Sequence, residues 1–227
     1  MCGRYTLSTP GDVVADLFAL EAASPLPRRY NIAPTQESAV VRRGDEGARR
    51  LSPLRWGLIP SWAKDPAIGN RLINARAETA AEKPAFRDGF RHRRCLVVAD
   101  GFYEWKKTPG GKQPFWFRRQ SGEPFAFAGL WERWRSREHP DTEPVETFTI
   151  LTTSANATVE PVHARMPVLL SAEEDFAAWL DPATDRNDLE QLLAPAAPDL
   201  LAAVPVSRWV NDPSHDDPRC VEAVGGA

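Results

Sequence analysis

The 227-residue sequence predicts a single α+β domain spanning 1–227, with a largely antiparallel β core, barrel-like or sandwich, and peripheral helices. Three observations predict it. Between about residues 95 and 152, short aromatic and β-branched segments succeed one another directly, each bounded by Gly or Pro. Helical spacing of apolar residues occurs outside that stretch, before residue 90 and after residue 172. Hydrophobic residues make up 42% of the chain, enough for one sizeable core.

Taken in order, Thr9-Pro10-Gly11-Asp12 has the pattern of a capped helix start, and Val13, Val14, Leu17 and Phe18 continue it over about 10–20. Arg28 to Thr35 is proline-punctuated and expected to be loop. Strands over 38–42 and 50–56, joined by the turn Gly44-Asp45-Glu46-Gly47, make a hairpin. The apolar stretch 56–62 has no clear propensity, and a helix is expected over about 79–90. Strands at 95–99, 102–106, 114–118, 125–131 and 148–152 form a meander. A strand at 166–170, helices at 172–180 and 185–193, and a strand at 203–208 precede a polar tail from about 210.

Charged residues make up 26% of the chain and apolar runs are short, which excludes a membrane-spanning helix of roughly 20 apolar residues. No basic stretch followed by an apolar segment opens the chain, so a soluble, cytoplasmic and nucleoid-associated protein is expected. Cys2, Cys95 and Cys220 are too far apart in sequence for a CxxC metal pair and odd in number, so reduced thiols are expected, with no metal and no cofactor. Net charge is only −3, yet residues 1–120 carry 16 Arg and 5 Lys against 12 acids, while residues 121–227 carry 7 Arg against 19. Arginine matches phosphate oxygens bidentately, and eight tryptophans offer stacking surfaces for single-stranded bases. A solvated, arginine-rich surface explains the same counts.

Cys2 carries the most chemistry. Loss of Met1 leaves a free α-amine and a thiol on one carbon skeleton. An α-amine titrates near about 7.7, so a good fraction is nucleophilic at neutral pH. It attacks an aldehyde to give a Schiff base, and the adjacent thiol closes that into a five-membered thiazolidine. Neither lysine nor an internal cysteine makes that ring. Three clusters then place catalytic-type side chains among apolar neighbours: Asn74 in NARAE, Glu104 in GFYEW, and His163 in VHARMP. Taken alone, Asn74 could cap a helix, Glu104 could face solvent, and His163 could be structural.

Together with MCGRY at 1–5, YNIAPT at 30–35, RWGLIPSW at 55–62, INARAET at 73–79, GFYEW at 101–105 and VHARMPV at 162–168, these clusters give a sequence that resembles the SOS-response-associated peptidase (SRAP) family. Its members process abasic sites by cross-linking themselves to single-stranded DNA. The resemblance covers nearly the whole chain and implies an antiparallel β core decorated with helices. It implies Cys2 as covalent nucleophile, with Asn74, Glu104 and His163 around it. Arg76 and Arg165 would grip phosphates, Trp62 and Trp105 would line the DNA path, and Arg4 and Asn31 would add DNA contacts. A monomer is expected, with abasic single-stranded DNA as partner. Lyase-like Schiff-base chemistry is implied, with self-processing limited to exposing Cys2. Two alternatives remain: an N-terminal-cysteine hydrolase of glutaminase or autopeptidase type, and a non-covalent single-strand binding module.

Overall fold

The structure, a computed structural model, describes residues 2–44, 47–139 and 141–225. Two sheets dominate it. Strands β1 (Tyr5–Leu7) and β2 (Arg29–Ile32) flank the first helix, α1 (Gly11–Leu17). β3 (Glu37–Arg43) and β4 (Arg49–Trp56) form the expected hairpin, though Asp45 and Glu46 of its turn lie outside the described residues. After a 3-10 turn at Pro66–Arg71 come β5 (Asn74–Arg76), α2 (Ala77–Ala80) and α3 (Arg87–His92). β6 (Arg94–Ala99), β7 (Gly101–Thr108), β8 (Gly111–Arg119), β9 (Phe125–Trp134) and β10 (Val145–Ser154) are the central strands. β11 (Arg165–Pro167), β12 (Leu169–Leu170), α4 (Glu173–Leu180), α5 (Arg186–Leu192) and β13 (Leu201–Pro205) complete the order, with 3-10 turns at Pro198–Leu200, Arg208–Asn211 and Pro218–Val221.

One sheet runs β11-β10-β4-β3-β6-β9-β12, and a further β10–β9 pairing closes five of its strands into a barrel. The other runs β13-β8-β7-β1-β2. Most pairings are antiparallel, but β10 lies parallel to both β4 and β5. The strands β6 to β10 do not form the expected meander: β7 and β8 pair with each other in one sheet, while β6 and β10 both pair with β9 in the other. A chain of rings ties the sheets together. Tyr5 meets Trp56 edge-on at 5.2 Å and Phe127 at 5.6 Å, while Phe102 stacks on Phe117 at 5.0 Å and meets Phe127 at 6.1 Å. All five are fully buried, and such pairs contribute about 0.5–1.5 kcal/mol each beyond the area they bury.

Four expectations are corrected. Residues 29–32, expected as loop, form the edge strand β2, because its outer backbone finds partners in the C-terminal segment. The helix expected over 79–90 is two short helices, since Pro84 cannot continue the first and α3 restarts after Phe86. The strand at 166–170 is split between β10 and β9, with Val168 crossing from one to the other. The polar tail from about 210 is anchored by two 3-10 turns that bury Val210 and Cys220.

Two glycines are demanded by this packing. Gly57 leaves β4 at φ 120° with its backbone against Gly69 of the 3-10 turn. Gly101 opens β7, where a Cβ would lie 2.1 Å from Trp116 Nε1 and 2.9 Å from the Phe117 carbonyl oxygen. Beside it, the buried Asp100 carboxylate accepts from Thr6 Oγ1 and from the Ser8 and Thr9 amides at 2.6 and 3.0 Å. Gly101→Ala is therefore expected to destabilise the fold by about 1–3 kcal/mol. Thermal melting checks it, at roughly 2–4 °C per kcal/mol for a chain of this size.

Candidate active site

The site is assembled where β1 and β7 pair. Tyr5 sits opposite Phe102, and the Tyr103 amide donates to the Arg4 carbonyl at 3.0 Å, so the start of the chain runs antiparallel to the strand that carries Glu104. Asn74 arrives on β5, held parallel to β10 with Asn74 opposite Ile150. Its Nδ2 donates to the Cys2 carbonyl at 2.7 Å, which fixes the backbone of the second residue. Asn74 Oδ1 is buried and has no partner among the described residues, leaving an acceptor beside Cys2.

His163 arrives on the loop before β11 and faces Glu104, with Nδ1 3.9 Å from Oε1. The same nitrogen is 3.0 Å from both the amide nitrogen and the carbonyl oxygen of Arg165. Neutral imidazole accepts from the amide there, and imidazolium donates to the carbonyl while facing the carboxylate. The ring is thus held in place in either protonation state.

Burial sets the titration of the two acids. Burial pushes the Glu104 carboxyl above its ordinary range, and His163 partly opposes that rise. The Cys2 thiol is fully buried and raised far above its usual value, first by desolvation and then by the nearby Glu104 charge. It is a thiol at neutral pH, not a thiolate.

The charged rim is already paired. Arg165 forks onto Glu78 at 2.5 and 2.9 Å, and its second terminal nitrogen donates to the Thr152 carbonyl at 2.5 Å. That Arg165 pair, more than the nearby Arg76, lowers Glu78. Arg76 is exposed beside it. Trp105 is half-buried at the edge of the site, its Nε1 donating to Asn211 Oδ1 at 2.7 Å. Trp62, 49% exposed, stands in a separate shallow cleft with Lys64, Ile68 and Arg71.

The structure therefore draws Cys2, Asn74, Glu104 and His163 together, with Arg76, Arg165 and Trp105 around them and Trp62 apart. Arg4 and Asn31 have a different setting from the DNA contacts expected of them. Asn31 is fully buried, and both hold backbone carbonyls of the C-terminal segment. Sequence reasoning missed Glu78 and Thr152 as the partners that aim Arg165, although Glu78 lies inside INARAET. It also missed Asn211, which had no signal within a polar tail. Cys95 and Cys220 are buried free thiols. Among the described residues no cluster of three or more His, Cys, Asp or Glu side chains could hold a metal ion, and no helix is long and apolar enough to cross a membrane.

A family model described as SOS response associated peptidase (SRAP) matches residues 1–213. The chain belongs to this family. This SRAP-family chain is 42% identical over 228 residues to the abasic site processing protein YoqW of Bacillus subtilis, covering 98% of this chain and all of that one. It is 30% identical to the abasic site processing protein YedK of Escherichia coli, over 99% of this chain and all of the relative. With the abasic site processing protein HMCES of Gallus gallus it shares 32% identity over 85% of its own length and 65% of the relative's. Its fold also matches a crystal structure from Bacteroides thetaiotaomicron with a TM-score of 0.87, at 26% identity, over 98% of this chain and all of that one.

The raised Glu104 carboxyl gives a stability prediction. The folded state holds that proton more tightly than the unfolded chain, so stability is lost as pH rises above the ordinary carboxyl value of 4.5. Glu104→Gln removes the titration. The variant is expected to melt above wild type at about pH 8, with the difference shrinking toward about pH 4. Melting curves across that range check it.

Proposed function

We propose that this chain recognises abasic sites in single-stranded DNA and traps their aldehyde as a thiazolidine through the α-amine and thiol of Cys2. The observation that carries this reading is the convergence of Asn74, Glu104 and His163 on Cys2, in a family whose named relatives process abasic sites. The alternative hydrolase reading shares Cys2 but gives no role to the charged and aromatic rim.

The protonation states order the steps. With the thiol held neutral, the α-amine is the first nucleophile once Met1 is gone. His163 donates a proton to the ring oxygen of the closed deoxyribose as the carbon–oxygen bond breaks, while the anomeric hydroxyl passes its proton to the Glu104 carboxylate and becomes the aldehyde carbonyl. The amine adds to that carbonyl carbon, forming a carbinolamine. Glu104, protonated more readily than an ordinary carboxyl, gives its proton to the departing hydroxyl, and water leaves with formation of the protonated imine. The thiol then adds to the same carbon. A carbon–sulfur bond forms, the C=N electrons return to nitrogen, and the thiol proton restores Glu104. The sum is aldehyde plus aminothiol giving thiazolidine and one water. Losing the imine removes the group that acidifies the neighbouring C–H, which protects the strand from β-elimination.

Asn74 holds the Cys2 carbonyl through Nδ2 and keeps a buried acceptor, Oδ1, beside the same residue. Arg76 and Arg165 supply positive charge for flanking phosphates, Arg165 by sharing its fork with Glu78. Trp62 and Trp105 offer stacking faces to splayed bases. The same proton donors run the sequence backwards, so release is acid–base assisted as well. The unit is read as a monomer and one domain, with self-processing confined to removing the residue ahead of Cys2, and as nucleoid-associated through its substrate.

Cys2→Ala is expected to abolish a heat-stable adduct with an abasic single-stranded oligonucleotide, while Cys95→Ala and Cys220→Ala keep it. Cys2→Ser should give only an imine that reduction can trap. Denaturing gels and intact mass read all four, and an undiminished heat-stable adduct from the serine variant would refute thiazolidine closure. Arg76→Ala and Arg165→Ala should each lower the slope of log affinity against log salt by roughly 0.7. Trp62→Ala should weaken binding by about 1–3 kcal/mol at unchanged slope.

A further inference from the structure

We infer that the C-terminal segment from Arg208 to Val221 is a clasp that positions the reactive strands, and that Asn31, Arg4 and Asp216 act on cross-linking through it and not by touching DNA. This rests on the proposed chemistry of Cys2. Asn31 is the point where the clasp closes. Its Nδ2 faces three carbonyl oxygens of one bend, those of Val210, Asp212 and His215, at 3.1, 2.9 and 2.7 Å. Its Oδ1 accepts from Arg4 at 2.8 Å, and the same Arg4 nitrogen donates to the Val210 carbonyl at 3.0 Å. A fully buried amide with every position engaged is a fastening, not a contact for a passing phosphate.

The second fastening is Asp216. Its carboxylate accepts from the Tyr30 and Asn31 amides at 2.5 and 2.9 Å and pairs with Arg29, so it satisfies the outer N–H groups of the edge strand β2. Asp216 lies beyond the residues that the family model matches, which end at 213. Within the clasp, the rings of Trp209 and His215 stack at 3.4 Å and 1°, and the Arg219 guanidinium lies 4.0 Å from the Trp209 ring centre. The segment is stiffened by its own side chains.

Both reactive strands are tied to it. The Arg4 carbonyl accepts from the Tyr103 amide at 3.0 Å and lies 3.7 Å from Cys2 Sγ. The residues on either side of Glu104 are secured as well: Tyr103 Oη donates to the Tyr30 carbonyl at 2.7 Å, and Trp105 Nε1 donates to Asn211 in the clasp at 2.7 Å. Loosening the clasp therefore shifts Cys2 and Glu104 relative to each other, and a misplacement of about 1 Å costs on the order of a hundredfold in rate.

The test uses the full chain carrying Arg4→Ala, Arg4→Lys, Asp216→Asn, or the milder Asn211→Ala, which removes only the Trp105 tie. Single-turnover cross-linking to an abasic single-stranded oligonucleotide is followed over DNA and salt concentration, beside thermal melting. Arg4→Ala and Asp216→Asn are expected to lower the maximal rate roughly tenfold or more, with half-saturating DNA and salt slope unchanged, and Arg4→Lys to restore part of the rate. Asn211→Ala should lower the maximal rate more weakly, at an unchanged salt slope. A slope reduced by roughly 0.7 for Arg4→Ala at full maximal rate would make Arg4 a phosphate contact and overturn the inference. Lower melting temperatures with every rate intact would reduce the clasp to a stabilising element and overturn it equally. A second probe is 2-cyanobenzothiazole, which condenses with an N-terminal aminothiol without DNA. Released Cys2 should label faster in the variants than in wild type, and equal labelling rates would refute the clasp even if wild type failed to cross-link DNA and the proposed function fell.

Discussion

The short pairing of β1 with β7 is the constraint on which the site depends. β1 has three residues, and only two register pairs join it to β7. So short a contact cannot hold two strands by backbone bonds alone. It is held by what surrounds it, with Tyr5 and Phe102 both meeting the Phe127 ring and Asp100 gathering the turn after β1. Cys2 and Glu104 lie just beyond its register pairs, both buried. Cys2 gains a rigid address although it stands at the start of a chain, where residues are ordinarily loose.

Charge follows a similar logic of long-range fastening. The excess of arginine in the first half of the sequence suggests a polyanion partner, yet many of those side chains meet acids from the second half. Arg29 pairs with Asp216, Arg42 with Glu146, Arg49 with Glu173 and Arg93 with Glu132. Part of the asymmetry along the chain is thereby cancelled in space, and a count of charges by halves of the sequence overstates the positive charge those residues leave free.

Much of the fold was legible because its strands carry strong local signals: aromatic and β-branched runs from Cys95 to Thr152 bounded by Gly and Pro gave the central strands and the helices outside them. Arg29–Ile32 was illegible for a physical reason. A short strand beside Pro27 and Pro34 has no propensity of its own; it pairs with β1, and its outer amides are taken up by Asp216, some 185 residues away in sequence. Pro84 broke a helix whose apolar spacing ran through it. For the site, Cys2 stood out as an aminothiol once Met1 is lost, whereas Asn74, Glu104 and His163 were catalytic-type side chains among apolar neighbours that only the resemblance to the family joined to it. Glu78 and Asn211 did not, since their importance lies in aiming Arg165 and Trp105, which only three-dimensional proximity reveals.

The covered edge of β2 bears on how this protein is handled as a reagent. A chain cut at the end of the family match would keep every group proposed to act on an aldehyde, and would seem a sound minimal unit. It would also lose Asp216 and uncover the amides of Tyr30 and Asn31. An unpaired strand edge beside an exposed hydrophobic core is a template for sheet addition between molecules. Such a truncation is therefore a route to self-association, and a fusion partner belongs after Val221, not before it.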